Sequence, residues 1–498
     1  MNLFGFEIKF RRKQEKPRKR NYTGAQVNNL TWDWVTANLT SDEYLRWNLK
    51  RLRERSRDLE RNDDYMRNFL RKLEINTVGA KGIILQSKVY FKTTNDLDIK
   101  SNSIIEDEWR RWARQYVSVC ETLSLRDFLK IILRTIARDG EVLICKIRGY
   151  DNPYRYALQI LEADFLDEDL NQDLPNGNRI IMGVEKNRYG KPVAYHLFEK
   201  HPGERSYAGN RHIRIPAEEI LHLFIKERPT QSRGVPWVAS AMIKLRMLGA
   251  YEEAEVVAAR VAASKMGFFT EDIEGASYEG ERDAYGNFNT EVEPGILERL
   301  PPGVDFKPFD PGQPSAEFSD FVKAMLRGIS AGLGCNYNTL CNDLESVNYS
   351  SLRAGAIDER EYWMDIQSWF IDNFLERIYP EWLEMAVLAG RLPFSFQELE
   401  RFIAPEWQPR RWDWVDPLKD VQAKILELKN GLTTRTRICA EQGIDFEDIL
   451  EEIKRERALM EGYGIKIEDI DKDMSLISEE AQMQEERKKW PFKLTQKA

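Results

Sequence analysis

The sequence has no apolar run of about 18 residues or more, so no membrane-spanning helix is expected. Its first twenty residues lack the apolar stretch of a secretory signal. Cysteine is scarce: Cys120, Cys145, Cys335, Cys341 and Cys439 form an odd, scattered set. They imply no disulfide framework and a reducing compartment. Cys335 and Cys341 have no paired histidines nearby, which does not suit zinc. The four histidines, His196, His201, His212 and His222, form no His-Glu-x-x-His motif. His196 and His222 alternate with apolar neighbours, as satisfied strand residues do.

A Gly-x4-Gly-Lys-Ser/Thr string is also absent, which excludes the phosphate cradle of an ATP motor. Gly328, Gly332 and Gly334 suit a helix end and are spaced wrongly for a dinucleotide loop. No Gly-x-Ser-x-Gly elbow occurs. Asp139 and Glu141 ahead of Lys146 faintly resemble a metal-dependent nuclease site, but the acidic-x-Lys pairing is missing. A turn at Asp139-Gly140 before a strand accounts for them. No active site is recognisable, and no metal or cofactor is expected. Basic charge is in deficit, with 74 Lys and Arg against 82 Asp and Glu, a net charge of -8. A free-standing DNA-binding protein is more often basic, because phosphate contacts drive its affinity. A wall along which DNA slides has the opposite need, although an ordinary acidic protein has the same composition.

What is present is a core-forming chain of 498 residues, 42% of them hydrophobic, enough for several domains. Residues 9–20 form a basic arm. Ser41 or Asp42 caps a helix expected to run to about Asn76. Residues 83–93 alternate as a strand, and helices are expected over 103–120 and 125–138. Strands follow at 141–148, 157–161, 179–185, 193–198, 211–215 and 220–225. Strands and helices are segregated, so the fold class is α+β. Residues 351–389 read as a long helix with Trp363, Ile366, Phe370, Phe374 and Ile378 on one face. Pro380 should kink or split it. Helical segments at 421–428, 434–441 and 446–461 precede a polar tail.

The stretch from Arg233 to Ser350 carries the most information. Pro236 suits the first position of a helix expected over 236–264. Ile243, Met247, Ala250, Ala254, Val257, Ala258 and Val261 recur by threes and fours as an apolar seam, with Glu252, Glu253, Glu255 and Arg260 opposite. Short strands are expected at 267–270 and 295–300, around a polar insert with a turn at Tyr285-Gly286-Asn287. Pro301-Pro302-Gly303 turns the chain into residues 304–309. Ser315 can cap a second helix, in which Lys323 and Arg327 stand one turn apart. The Asn-rich residues 335–350 then read as a loop too polar to bury itself.

Several strings in this chain resemble, in order, the lambda-like portal protein family of tailed bacteriophages. They are Arg233-Gly-Val-Pro-Trp237, EEAEVVAARVAA at 252–263, LERLPPG at 297–303, Ser330-Ala-Gly-Leu-Gly334 and Asn348-Tyr-Ser-Ser-Leu-Arg353. The likeness extends upstream through Arg57-Asp-Leu-Glu-Arg-Asn62, Asp139-Gly-Glu141, Leu161-Glu-Ala-Asp164 and Gly190-Lys-Pro-Val-Ala-Tyr195. Downstream it includes Trp414-Val-Asp-Pro417 and Gly431-Leu-Thr-Thr434.

The resemblance implies a portal fold. Its parts would be a wing (1–235 and 351–415), a two-helix stem (236–264 and 315–334) and a β-rich clip (265–314). A tunnel loop (335–350), an α-helical crown (416–475) and a tail (476–498) would complete it. It further implies a homo-oligomeric ring, usually a dodecamer, at one vertex of the capsid, with double-stranded DNA passing through during packaging and ejection. The expected partners are the terminase large subunit, a head-tail adaptor, and the major capsid and scaffolding proteins.

On this reading Ala250, Ala254 and Ala258 are the ring-packing seam. Candidate channel-facing residues are Glu252, Glu253, Glu255, Lys323, Arg327, Asn336, Asn338, Asn342, Asp343 and Asn348. The glutamates equally suit a solvated outer face, and Lys323 and Arg327 an ordinary surface pair. A DNA-processing enzyme of the packaging machinery, or a cytosolic assembly scaffold without DNA contact, is the rival reading.

Overall fold

The computed structural model describes residues 36–204 (except 93 and 95), 211–263, 267–271, 304–308, 318–345, 348–412, 417–441 and 446–463, with a few of the first 33. Two short strands, β1 (Asn2–Leu3) and β2 (Phe6–Glu7), pair near the start. The helix expected over 41–76 is three helices: α1 (Ser41–Arg46), α2 (Leu49–Asn62) and α3 (Asp64–Thr77). Asp63 makes the second break. Its backbone is extended, and its carboxylate accepts the Met66 N–H at 2.7 Å, capping α3 where an unbroken helix would have no such acceptor.

β3 (Ile84–Ser87) is shorter than expected, and α4 (Ile99–Gln115) starts and ends earlier than expected. α5 (Leu125–Asp139) is capped by Ser124 and stops at Gly140, whose φ of 92° lies in the left-handed region. β4 (Val142–Arg148), β5 (Tyr156–Leu161) and β11 (Ile220–Leu223) make an antiparallel sheet in the order β11-β4-β5. A second antiparallel sheet runs β10-β9-β8-β7-β6. Its strands are β6 (Gln172–Asp173), β7 (Arg179–Ile181), β8 (Val184–Lys186), β9 (Pro192–Phe198) and β10 (His212–Pro216). The single strand expected over 179–185 is a hairpin, because Met182 and Gly183 take φ of 47° and 81°, as a two-residue turn requires.

α6 (Met242–Ala263) begins six residues later than Pro236 suggested, since residues 236–241 form tight turns with bonds from Ala239 to Pro236 and from Ala241 to Val238. β12 (Gly267–Glu271) pairs antiparallel with β13 (Val304–Pro308), Phe269 opposite Phe306. The expected strand at 295–300, the turn at 285–287, the Ser315 cap, the basic arm and the tail lie outside the described residues.

α7 (Phe318–Leu333) leads to α8 (Tyr337–Cys341) and α9 (Tyr349–Phe370). A π turn at Ile371–Leu375 joins α9 to α10 (Glu376–Leu388), so the long helix neither splits nor ends at Pro380. The irregularity falls on the turn before the proline, whose ring crowds the Glu376 carbonyl and which cannot donate. α11 (Leu399–Phe402) precedes β14 (Pro405–Gln408), which returns to pair with β3. α12 (Pro417–Lys429), α13 (Arg435–Glu441) and α14 (Phe446–Gly462) are the last elements among the described residues.

The main core lies where α3, α4, α5 and the β4–β5 hairpin meet the α9–α10 helix, with Phe69, Trp112, Phe128, Ile132, Phe370 and Trp382 fully or almost fully buried. Trp109 meets Trp382 edge-on at 4.9 Å between ring centroids, an arrangement that adds to area burial. A satellite core of Leu143, Leu166, Tyr195 and Leu197 sits between the two sheets.

Candidate stem root and channel-facing surface

α6 emerges from a junction where two backbones touch. A Cβ on Gly234 would lie 2.0 Å from the Gly140 carbonyl oxygen, and one on Gly140 would lie 2.6 Å from the Val235 carbonyl carbon. Only glycine fits at either place. This contact presses Arg233-Gly-Val-Pro onto Asp139-Gly-Glu141, strings nearly a hundred residues apart in sequence.

Glu141 is fully buried there. It accepts from Arg233 Nε at 2.8 Å, Gly234 N at 2.9 Å, His222 Nε2 at 2.8 Å and Arg53 Nη2 at 3.3 Å. Burial alone would raise its pKa, but Arg233 and His222 hold it well below the usual carboxylate range. Arg233 also donates to the carbonyls of Ala163, Leu166 and Met182. Asp139, equally buried, is bracketed by Arg57 and Arg138. Burial keeps His222 below the usual imidazole range, so its hydrogen bond to Glu141 is that of a neutral ring.

The residues that faintly resembled a nuclease site are therefore fully engaged, and Lys146 is paired with Glu381. Glu162, Asp164 and His201 converge closely enough to hold a cation. The Arg57 guanidinium already stands 2.5 Å from Asp164 and 3.6 Å from Glu162, which answers that charge.

α6 has two apolar faces. Met242, Leu245 and Leu248 point into the core. The seam read from the sequence points out: Ile243 is 69% exposed, Met247 66% and Val257 49%, and Ala250 and Ala254 are exposed between them, with Ala258 half-buried. α7 packs beside α6 through Tyr251, whose ring meets Phe321 at 5.1 Å and Phe318 at 5.6 Å.

The three glutamates do not share a face. Glu252 is half-buried and accepts from the Tyr65 hydroxyl on α3 at 3.0 Å, while Glu253 is exposed and Glu255 half-buried. Lys323 and Arg327 do come together with part of the Asn-rich segment. Lys323 Nζ is 3.9 Å from Glu345, the Arg327 guanidinium lies 5.6 Å from the Tyr337 ring centroid, and the Tyr337 hydroxyl donates to Asp343 at 2.7 Å. That hydrogen bond, helped by the Glu345 N–H, holds the Asp343 carboxyl below its usual range.

The segment is not one loop. Residues 337–341 form α8, with Leu340 buried, and Asn68 on α3 donates to the Thr339 and Leu340 carbonyls at 3.2 and 2.7 Å. Asn336 donates to the Gly355 carbonyl and Asn338 is half-buried. Exposed Asn342 ends α8 at φ 54°, and Asn348 caps α9 by accepting the Ser351 N–H at 2.8 Å. The expectation that this span stays unburied fails for 336–341, because α3 supplies the amide donor that the sequence does not advertise. Burial, with acidic neighbours, pushes the Cys335 and Cys341 thiols up to about 12, so neither is poised to react.

The family model described as "Phage portal protein, lambda family" matches residues 28–367. The chain belongs to the lambda family of phage portal proteins. A probable portal protein of Halomonas phage phiHAP-1 is 37% identical over 421 residues, covering 83% of this chain and 81% of that protein. Portal protein B of Escherichia phage lambda is 22% identical, covering 87% of this chain and 88% of the relative. Among solved structures, a chain in the neck of an empty GTA particle computed with C6 symmetry aligns at a TM-score of 0.43 and 14% identity, covering 80% of this chain and 93% of that one.

Within this portal-family chain, sequence reading singled out the outward seam of α6 but missed the buried Glu141–Arg233 junction. The signal was available as two glycine-containing strings of opposite charge, acidic Asp139-Gly-Glu141 and basic Arg233-Gly234.

Proposed function

We propose that copies of this portal-family chain close into a ring, most simply a dodecamer, around a channel for double-stranded DNA at one capsid vertex. The wing, stem, clip and crown take the ranges expected from the sequence, with the first stem helix shortened to 242–263. The observation that carries the reading is the outward apolar stripe of α6. Ile243, Met247 and Val257 are large side chains left in water by a helix that already buries another face. Burying such a side chain fully contributes about 1.5–3 kcal/mol, so a stripe repeated at every subunit boundary drives lateral association. Ala250, Ala254 and Ala258 let neighbouring helices approach closely.

The cluster of Lys323, Arg327 and Asp343 with Asn342 is the channel-facing element in this reading. Its charges partly cancel, which suits a wall that touches phosphate without gripping it. The protein performs no catalysis. It provides the conduit, the docking surface for the terminase large subunit, and later the attachment site for the head-tail adaptor, while capsid and scaffolding proteins hold its rim.

The test is Ala254→Trp, which overpacks the seam at about 1–3 kcal/mol per contact without touching the monomer core. Negative-stain images should show rings for the parent and broken or absent rings for the variant. Unchanged rings would place the subunit boundary elsewhere.

A further inference from the structure

Outside the stem, the wing contains a cleft of about 950 Å³ between the β8–β9 hairpin, the segment after β11 and the α9–α10 helix. Four cations surround it: Lys186 on β8, Lys191 in the hairpin turn, Lys226 after β11 and Arg377 on α10. Among the described residues none of the four makes an ion pair. Lys186 donates to the Ser232 hydroxyl at 2.5 Å, Lys226 lies 5.8 Å from the Phe224 ring centroid, and Arg377 donates to the Asn373 side chain at 3.3 Å. Asp42, the carboxylate that acts on Lys186, is held by Ser232, whose N–H and hydroxyl donate to it at 2.8 and 2.5 Å. Burial, and then Lys226 against the pull of Asp42, keep Lys186 below the usual lysine range.

This concentration of unanswered charge contrasts with Arg53, Arg57, Arg134, Arg138, Arg214 and Arg401, each of which faces a carboxylate. It is also unlike the chain as a whole, whose net charge is -8. Only Glu218 offers a carboxylate on the lining. Tyr195, His222 and Trp369 supply an aromatic inner surface.

We infer that this cleft is a docking site for an extended acidic segment of a protein partner, its carboxylates met by Lys186, Lys191, Lys226 and Arg377. Clustered cations around a concave groove recognise acidic motifs in this way. The volume falls within the roughly 300–1,000 Å³ of concave ligand sites. A DNA duplex presents its phosphates on a convex surface, and a recessed cleft does not follow it, whereas a single peptide strand enters. The site is independent of the channel reading, because none of its residues belongs to α6, α7 or the Asn-rich segment.

The experiment uses the assembled full-length protein and a fluorescein-labelled hexaglutamate peptide, followed by anisotropy at low and physiological salt. Saturable binding that weakens with salt is expected, with a loss of about tenfold or more in Lys191→Glu/Lys226→Glu, two exposed positions whose reversal leaves the fold intact. Lys454→Glu, an exposed lysine on α14, should bind as the parent does. No saturable binding, equal loss in the Lys454 variant, or displacement of the peptide by a short DNA duplex at lower concentration than by unlabelled peptide would each overturn the assignment. Ring formation in the double variant separates this test from that of the channel.

Discussion

Replacing Glu141 with alanine is the sharpest test of how α6 is held on the core at its base. The side chains of Glu141, Arg233 and Arg53 are 0%, 0% and 2% exposed, so water cannot answer the charges that remain. Arg53 keeps Asp164 at 3.3 Å and Glu168 at 2.8 Å, so its loss is small. Arg233 keeps three backbone carbonyls but no carboxylate. Breaking a buried pair from one side costs about 3–5 kcal/mol, and the surviving carbonyls place Glu141→Ala near the lower end, about 3 kcal/mol. Glu141→Gln keeps the shape and an acceptor for Gly234 and should cost less, about 1–3 kcal/mol. Urea unfolding followed by tryptophan fluorescence reports the main core, because Trp109, Trp112 and Trp382 sit in it. If Glu141→Ala unfolds within about 0.5 kcal/mol of the parent, as an inert surface change would, the junction is not what fixes α6.

Other consequences are as direct. Leu340→Ala should cost about 2–5 kcal/mol because α8 is packed, whereas removing Asp343-Leu344-Glu345 should leave folding and rings intact while impairing packaging of DNA; a thermal melt, electron microscopy and a packaging assay separate the two. Stability should fall between about pH 4.5 and pH 2: Arg214, acting against burial and aided by Asn178 and His196, holds Glu185 down to about 2, and Glu141 is also depressed. A depressed carboxylate contributes fully above its unfolded pKa of about 4.3, and that contribution disappears as pH drops through the folded value. A melting temperature unchanged from pH 5 to pH 3 would contradict this.

Most element types were legible because the periodicities are strong. The α5 stripe Phe128, Ile132, Ile136 and the apolar run Val142-Leu143-Ile144 of β4 need no tertiary information. The failures are instructive. The residues about Asp63 read as continuous helix because Asp is tolerated there, yet an Asp that can cap the next helix ends the previous one. The hairpin at Met182-Gly183 was hidden because Met is a poor signal for a left-handed residue. α8 was hidden because the amide that satisfies its carbonyls comes from Asn68, far away in the chain. The outward seam of α6 was legible as a stripe, but periodicity alone could not tell which of two apolar faces the chain keeps for itself.

That two-faced character has a further consequence for α6. Up to Leu248 the inward face is apolar and anchored by Met242, Leu245 and Leu248. Beyond it, among the described side chains, Tyr251 packs against α7 and Glu252 meets Tyr65, while Val256 and Val257 are 59% and 49% exposed. A helix is stabilised in water mainly by what its apolar face meets, so residues 250–263 have less within their own chain to hold them than residues 242–249 do. Hydrogen exchange should therefore split α6 in two. In the unassembled chain, amides at 242–249 should be protected with the core and those at 250–263 should exchange with a low opening energy. In the ring the distal amides should slow by at least about tenfold, while the proximal ones change little. Equal protection along the whole helix before assembly would show that α7 and α3 alone hold it, and would remove the physical reason for assigning its outward stripe to the subunit boundary.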